Sequence, residues 1–288
     1  MRIGNGPMII HLQTLPFRVC LLVILGSLLA ACGGDNGVEP SVDDIRVDKL
    51  QYNQTAVITI VGRNLRSSIV TDTGGGCTNP LYAASSTPEL MVLNCLVARV
   101  GEIPLTLRSD QGAQLFSTTL TVPKPQVAMT TSAGSFTMEL DPEKAPKSVD
   151  NFLDYVKSNF YRNTLFHRVV PSFVIEGGGY TTGLVKKEGR FAPIPLESQN
   201  GLSNRRATVA MARTNEPNSA TSEFFINLVN NTSLDYQSAA SPGYAVFGTV
   251  VSGMAVVDTI AAKATGTVNG FSDVPLADVT INSVLQIR

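Results

Sequence analysis

Alternating hydrophobic and polar positions in the first half of the chain predict short β-strands. Four segments are rich in β-branched residues: 55–61, 90–100, 102–109 and 113–122. In the third of them, Ile103, Leu105 and Leu107 fall on one face, because successive side chains of a strand point to opposite sides. Glycine- and asparagine-containing turns separate the segments. Short strands at this spacing predict a small all-β sandwich over residues 45–122, of immunoglobulin-like type.

The second half combines strands with two amphipathic helices. Residues 126–140 read as a hairpin that turns at Ala133 and Gly134. Apolar residues then recur at helical spacing in two places: Val149, Phe152, Leu153 and Val156, and later Met254, Val257, Ile260 and Ala261. The prolines of segment 123–125 predict a boundary before this region. The pattern therefore predicts a second, mainly β domain over 126–288, a barrel or sandwich with helical caps.

The N-terminus has the pattern of a targeting segment. Arg18 precedes an uncharged apolar run over 19–31, which is shorter than the ~20 residues that a membrane-spanning helix needs. We therefore predict a signal peptide over residues 1–31. The segment before the run is long for such a peptide, and either Met1 or Met8 could be the start.

The apolar run ends in Leu29-Ala30-Ala31-Cys32, which resembles the lipobox of bacterial lipoproteins. The resemblance implies that Cys32 is lipidated and anchors the chain to a membrane, with residues 32–44 as a flexible tether. Gly33 follows the cysteine and favours the outer over the inner membrane, on the periplasmic side of the bacterial envelope. The alternative is an ordinary secretory signal cleaved after Ala31.

The four cysteines divide according to this processing. Cys20 leaves with the signal peptide and Cys32 carries the lipid, so that Cys77 and Cys95 remain in an oxidising compartment. We expect a disulfide between them. The chain has no CxxC motif or cysteine–histidine cluster, and no metal site is predicted.

Charge and isolated motifs narrow the function classes. The formal net charge is -1, and no run of Lys or Arg alternates with aromatic residues, so nucleic acid is not expected as a partner. The glycines at 177–179 are not followed by the residues of a phosphate-binding loop. His167 lacks a nearby nucleophile motif and is expected to be structural. A glycosidase-like acid–base pair of Glu176 and Glu223 is a weak alternative.

Three ordered segments carry a much more specific signal: FHRVVPSF at 166–173, SATSEFFIN at 219–227 and YAVFGTVVSGM at 244–254. Together they resemble the cyclophilin-type peptidyl-prolyl cis–trans isomerases over about 160 residues. The resemblance implies a closed antiparallel eight-stranded barrel with two capping helices. It also implies isomerisation of X–Pro bonds without a cofactor, proline-containing polypeptides of the envelope as substrates, and a monomer.

The resemblance assigns site residues one by one. Arg168 matches the catalytic arginine of the family. The positions that match or lie near the proline pocket are Phe173, Val174, Met211, Phe225 and Leu234. Ala212 and Arg213 match the segment that pairs with the substrate backbone, and Tyr244 stands where many members have histidine.

Three departures concern the strength of catalysis. Glu176 and Glu223 replace two glutamines of the family pattern, and Ser233 replaces an aromatic residue. We expect a carboxylate in place of the amide that steadies the arginine to form an ion pair with Arg168 and to slow catalysis. The alternative is that Glu176 is partly protonated and behaves like the amide. A weak prolyl-peptide binder or chaperone is therefore the second functional hypothesis.

Overall fold

The computed structural model describes residues 8–9, 39–65 and 69–288. The chain divides into two compact units, one of Met1–Ala98 with Glu102–Thr121 and one of Arg99–Gly101 with Val122–Arg288. The predicted lipidation site, Cys32, and almost all of the predicted signal peptide lie outside the described residues. Among the described residues, no helix combines the length and the apolar character needed to cross a membrane.

The described residues of the first unit form strands and connecting loops, with no helix among them. Its strands are β1 (Met8–Ile9), β2 (Ser41–Asp48), β3 (Thr55–Arg63), β4 (Val70–Asp72), β5 (Cys77–Tyr82), β6 (Leu90–Val97), β7 (Gly101–Arg108) and β8 (Gln114–Val122). They form a five-stranded sheet in the order β1-β2-β3-β6-β5 and a three-stranded sheet in the order β4-β7-β8. Ile103, Leu105 and Leu107 are fully buried, as their alternation predicts. The all-β prediction is confirmed for this unit.

Two details of the first unit refine the sequence analysis. The predicted disulfide is present between Cys77 and Cys95, which lie on the neighbouring strands β5 and β6. It therefore links strands within one sheet, whereas the disulfide of antibody domains joins two sheets. The predicted tether over 32–44 is too long, because β2 already begins at Ser41 and pairs with Arg63 of β3. The polar sequence of this segment suggested a tether, but strands can pair through their backbones without apolar side chains.

The second unit is an eight-stranded barrel with two helices. Its elements are β9 (Gln126–Thr131), β10 (Gly134–Leu140), α1 (Pro146–Lys157), β11 (Thr164–Val170), β12 (Val174–Gly177), β13 (Tyr180–Thr181), β14 (Val185–Lys186), β15 (Thr208–Met211), β16 (Phe224–Asn227), a 3₁₀ turn (Thr232–Leu234), β17 (Val246–Ser252), α2 (Met254–Ala261), β18 (Thr265–Val268), β19 (Phe271–Pro275) and β20 (Thr280–Gln286). The barrel closes in the order β10-β17-β15-β16-β12-β11-β20-β9. The predicted fold, mainly β with two helices, is confirmed.

Apolar faces of the helices form part of the buried core. In α1 the predicted stripe of Val149, Phe152, Leu153 and Val156 is buried. Phe152 meets Phe224 of β16 edge to face, with ring centroids 5.7 Å apart, and Phe247 of β17 at 5.4 Å. This packing holds the strands that carry the predicted site in fixed positions.

Candidate active site

The β11–β12 hairpin positions the predicted catalytic arginine. Arg168 and Glu176 are direct partners across the two strands, and Arg168 Nη1 donates a hydrogen bond to Glu176 Oε2 at 3.0 Å. Asp273 Oδ2 of β19 lies 4.0 Å from Arg168 Nε. The guanidinium side chain is 37% exposed, so it is anchored by acids and still open to a ligand. The ion pair expected from the glutamate at position 176 is present.

A small apolar floor lies beside this arginine. It is built from buried residues of β12, β15, β16 and β17 together with the segment after β15: Val174, Ala210, Ala212, Phe225 and Val246. Phe173, Leu234 and Tyr244 are partly buried and pack against it. Ser172 adopts a positive φ of 58° in the turn between β11 and β12, and this turn brings Phe173 to the edge of the floor.

Nine of the eleven residues that the sequence assigns to the catalytic and substrate-binding site line one open cleft of about 240 Å³. We call it the arginine cleft, and its lining residues are Arg168, Phe173, Val174, Glu176, Ala212, Arg213, Phe225, Leu234 and Tyr244. These residues are up to 76 positions apart in the chain (168 to 244). The barrel thus brings together what the sequence could only associate by resemblance.

Met211 is not among the residues that line this cleft. It is 1% exposed and lies on β15 between Ala210 and Ala212, which both belong to the floor. Since side chains alternate along a strand, Met211 points to the opposite face. The sequence match placed it next to the site without this distinction.

Arg213 and Tyr244 form one wall of the arginine cleft. The Arg213 guanidinium lies 4.6 Å from the Tyr244 ring centroid, within the range of a cation–π contact. Arg213 Nε also donates to the Gly243 carbonyl at 2.9 Å. The Tyr244 ring in turn meets Phe225 edge to face at 5.5 Å. With these contacts, Arg213 serves as a fixed wall, while Arg168 keeps its exposed face.

A network of buried asparagines holds the backbone of Phe173 and Leu234, which line the arginine cleft, and the sequence analysis did not find it. Asn231 Nδ2 donates to the Phe173 carbonyl at 2.9 Å and to Asn227 Oδ1 at 2.8 Å. Asn227 Nδ2 donates to Asn204 Oδ1 at 3.1 Å. Asn204 Nδ2 donates to the carbonyl of Leu234 at 3.2 Å. Asparagine is common in exposed loops, so the residue type alone did not signal burial.

Asp235 closes this network at the end of the 3₁₀ turn. It accepts hydrogen bonds from Ser203 Oγ at 2.5 Å and from the Asn204 backbone N at 2.7 Å. Burial disfavours the charge of Asp235, but these hydrogen bonds outweigh that effect and lower its pKa below the ordinary value of 3.8. A charged Asp235 therefore stabilises the loop that carries Leu234.

Glu223 lies in a neighbouring cleft instead of the arginine cleft. This second cleft, of about 280 Å³, is lined by Glu176, Tyr180, Lys186, Arg190, Ala212, Arg213, Thr214, Ser219, Thr221 and Glu223. We call it the polar cleft. Of the two glutamates, only Glu176 pairs with Arg168, so the expected ion pair does not extend to Glu223.

The partner of Glu223 is His167. Its Nε2 lies 3.5 Å from Glu223 Oε2, and the ring stacks obliquely on Tyr180 with centroids 4.7 Å apart. Burial, and then the positive charge of Arg168, lower the pKa of His167 to about 4. Burial, and then the charge of Glu176, raise the pKa of Glu223 to about 6. Glu223 therefore takes up a proton at a higher pH than an ordinary glutamate does.

The three consecutive glycines serve close packing. A Cβ on Gly177 would lie 2.8 Å from the Leu165 carbonyl oxygen, and Gly178 has a positive φ of 88°. A Cβ on Gly179 would lie 2.4 Å from Glu223 Cδ. Gly177 is therefore required because the end of β12 lies against the backbone of β11, and Gly179 is required because the Glu223 carboxylate lies against its backbone.

The arginine cleft suits a reaction in which no covalent bond is made. It offers an apolar floor for a small ring and one cation with planar donors at the rim. Rotation about an X–Pro bond passes a barrier of about 18–20 kcal/mol because the C–N bond has partial double-bond character. A donor that interacts more strongly with the twisted amide than with the planar one lowers that barrier.

Comparison with known proteins agrees with this geometry. Residues 126–286 match the family described as cyclophilin type peptidyl-prolyl cis-trans isomerase/CLD. "Peptidyl-prolyl cis-trans isomerase A" of Dickeya dadantii is 44% identical over 193 residues, which cover 67% of this chain and 97% of the relative. "Peptidyl-prolyl cis-trans isomerase" of Acinetobacter baylyi is 51% identical over 162 residues, 56% of this chain and 85% of the relative.

A third relative and one solved structure match a similar share of the chain. "Peptidyl-prolyl cis-trans isomerase B" of Escherichia coli is 48% identical over 160 residues, 55% of this chain and 97% of the relative. A cyclophilin type isomerase of Cryptosporidium parvum, solved with the dipeptide Ala-Pro, aligns with a TM-score of 0.49 at 26% identity, covering 57% of this chain and 99% of that one. With the family match extending from β9 to β20, the chain belongs to the cyclophilin-type peptidyl-prolyl cis–trans isomerases.

Proposed function

We propose that the chain isomerises X–Pro bonds of exported proteins in the bacterial envelope, as a monomer and without a cofactor. The observation that carries the enzymatic part is the placement of Arg168 at the rim of the apolar floor formed around Phe225. The proline ring packs on the floor, and the Arg168 guanidinium donates to the carbonyl of that proline. The same donors stabilise the amide nitrogen as it pyramidalises.

A protease-coupled isomerisation assay tests this activity. The full chain is mixed with a tetrapeptide whose X–Pro bond must be trans before chymotrypsin cleaves it. We expect the slow phase, which takes tens of seconds or longer without a catalyst, to accelerate in proportion to the protein concentration. Acceleration that is absent, or that survives in Arg168→Ala, would contradict the proposal.

The second candidate function is a prolyl-peptide binder with little catalysis. It is favoured by one contact, the 3.0 Å hydrogen bond from Arg168 to Glu176. A carboxylate partner stabilises the cation before the substrate arrives, so less of its charge is available to the transition state. Binding of a prolyl tetrapeptide by calorimetry, together with an unaccelerated slow phase, would select this candidate.

The envelope location rests on the N-terminal sequence and on one feature of the fold. The apolar run over 19–31 followed by Cys32 supports a lipid anchor, and the Cys77–Cys95 disulfide is typical of an oxidising compartment. We expect the expressed chain to incorporate a radiolabelled fatty acid and to fractionate with membranes. Cys32→Ser should abolish the label, and equal labelling of this variant would refute the anchor.

A further inference from the structure

Three side chains of metal-ligand type converge where the two clefts adjoin. A ring nitrogen of His167 and carboxylate oxygens of Glu176 and Glu223 all lie within 4.8 Å of one another. His167 Nε2 and Glu223 Oε2 are 3.5 Å apart, which is longer than an ordinary hydrogen bond of about 2.7–3.2 Å. The spacing leaves room for an ion to bridge them at bond lengths of about 2.0–2.2 Å.

The histidine is the unusual member of this group. His167 is only 6% exposed, and its Nδ1 has no hydrogen-bond partner within the described part of the chain. A buried ring nitrogen without a hydrogen bond costs about 1–3 kcal/mol. Its Nε2 is aimed at Glu223, and a neutral imidazole is the form that coordinates metals.

The two carboxylates supply the negative charge that a cation needs. Carboxylate oxygens of Glu176 and Glu223 lie within 4.8 Å of each other. Arg168 pairs with Glu176, while Glu223 has its nearest partner in His167. Placing a divalent cation between the two carboxylates would relieve their mutual repulsion, because opposite charge within a few ångströms favours the ionised form.

Glycine makes room for this arrangement. A side chain at position 179 would collide with Glu223 Cγ and Cδ at 2.4 Å, so Gly179 allows the carboxylate to turn towards His167. Lys186 and Arg190 line the same cleft and compete electrostatically with a cation. The site therefore has three ligand atoms and four neighbouring positive side chains, because Arg213 lines the same cleft and Arg168 pairs with Glu176. This favours an ion with strong directional bonds over Ca²⁺ or Mg²⁺.

We propose that His167, Glu176 and Glu223 bind a divalent transition-metal cation, with zinc as the ion that their ligand types fit best. Imidazole nitrogen and carboxylate oxygen are both ordinary zinc ligands, and three protein ligands leave one tetrahedral position for water. This site goes beyond isomerisation, which needs no metal. It also departs from the sequence expectation of no metal site, which rested on cysteine spacing and did not consider glutamates distant in the chain.

Calorimetric titration of the full chain with zinc chloride tests the site. The variants Glu176→Gln and Glu223→Gln keep side-chain size and remove one carboxylate each, and circular dichroism checks that they fold. We expect one zinc ion per chain, an affinity at least about tenfold lower in each single variant, and loss of the site in the double variant. Glu216→Gln, an exposed acid outside both clefts, is the matched control and should bind like the native chain.

Comparing the native chain with the Gln variants also distinguishes this site from other side chains that could bind zinc. His11, Cys20 and Cys32 lie outside the described residues and offer imidazole and thiols to zinc. Visible absorption of bound Co²⁺ reports the ligand set, and loss of this spectrum in the double variant would support the proposal. Zinc binding of equal strength in the native chain and the double variant would overturn it, as would a native chain that binds no zinc.

Discussion

The arginine cleft and the polar cleft lie side by side, and they place charge differently. The arginine cleft has an apolar floor with a cation at the rim, whereas the polar cleft is lined by Lys186, Arg190 and Glu223. Glu176 lines both. Catalysis of amide rotation needs an apolar surface that binds the proline ring and one hydrogen-bond donor oriented towards the amide. A cluster of polar side chains is suited to binding an ion. Ala212 and Arg213 also line both clefts, but Glu176 is the acid among the shared residues, and its carboxylate therefore links two chemically distinct sites.

The largest expected effect comes from removing the catalytic group of the arginine cleft and leaving the polar cleft unchanged. Arg168→Ala should lower kcat/KM for a prolyl tetrapeptide about 100- to 1,000-fold, because a preorganised donor aimed at the transition state is lost. The protease-coupled assay measures this. Arg162→Ala removes an exposed arginine away from both clefts and should leave the rate unchanged. A loss of less than about threefold in Arg168→Ala would show that the catalytic donor lies elsewhere.

The next effect tests Glu176, the acid that lines both clefts. Glu176→Gln should raise kcat/KM about 10- to 100-fold, since a neutral amide replaces the charge that competes for the Arg168 guanidinium. The same assay, with a chelator present to exclude metal effects, gives the comparison. Glu216→Gln serves as the control. An unchanged or reduced rate in Glu176→Gln would mean that the ion pair orients Arg168 productively.

A smaller effect concerns the loop that forms one wall of the arginine cleft. Asp235→Asn should lower the free energy of unfolding by about 1–2 kcal/mol at neutral pH, because hydrogen bonds to a charged acceptor are weakened. The folded-state pKa of Asp235 lies below its unfolded value of 3.8. Its stabilisation is therefore fully present above that pH and disappears as the pH falls through the folded-state pKa.

Urea unfolding of the full chain at several pH values measures this stabilisation. The difference between the native chain and Asp235→Asn should shrink below about pH 4. Zinc binding at the polar cleft should be unaffected, since Asp235 contacts Ser203 and Asn204 instead. A difference that does not change with pH would exclude the charge of Asp235 as its cause.

The smallest expected effect tests whether Glu223 of the polar cleft contributes to catalysis in the arginine cleft. In the presence of a chelator, Glu223→Gln should change kcat/KM by less than about threefold, because Glu223 faces His167 and has no contact with Arg168. The protease-coupled assay again decides. A gain as large as that of Glu176→Gln would mean that both carboxylates restrain the arginine and that the clefts act as one site.

Much of the fold could be predicted because its signals are local. The stripe at Val149, Phe152 and Val156 is a helical period, and the alternation at Ile103 and Leu105 is a strand period. The tether was predicted to reach residue 44 because the pairing of β2 with β3 depends on backbone hydrogen bonds, which leave little trace in a polar sequence.

The site was predicted less evenly. Arg168 and Phe225 stand in motifs that identify the family, and the barrel brings them into one cleft. Met211 lies next to the floor without lining the cleft, because the resemblance names a position without its face and in a strand one residue decides the face. The asparagine network around Asn227 and Asn231 was missed because burial of a polar side chain depends on partners from other segments.

The sequence by itself determined the family, the mainly β class, the two helices and the residue types available for chemistry. These follow from hydrophobic periods and from ordered motifs, which can be read along the chain. Only the tertiary structure decided which glutamate pairs with Arg168 and that Glu223 turns to a buried His167. The register of β11 and β12 places Glu176 directly across from Arg168. The absence of a side chain at Gly179 leaves the space that the Glu223 carboxylate occupies.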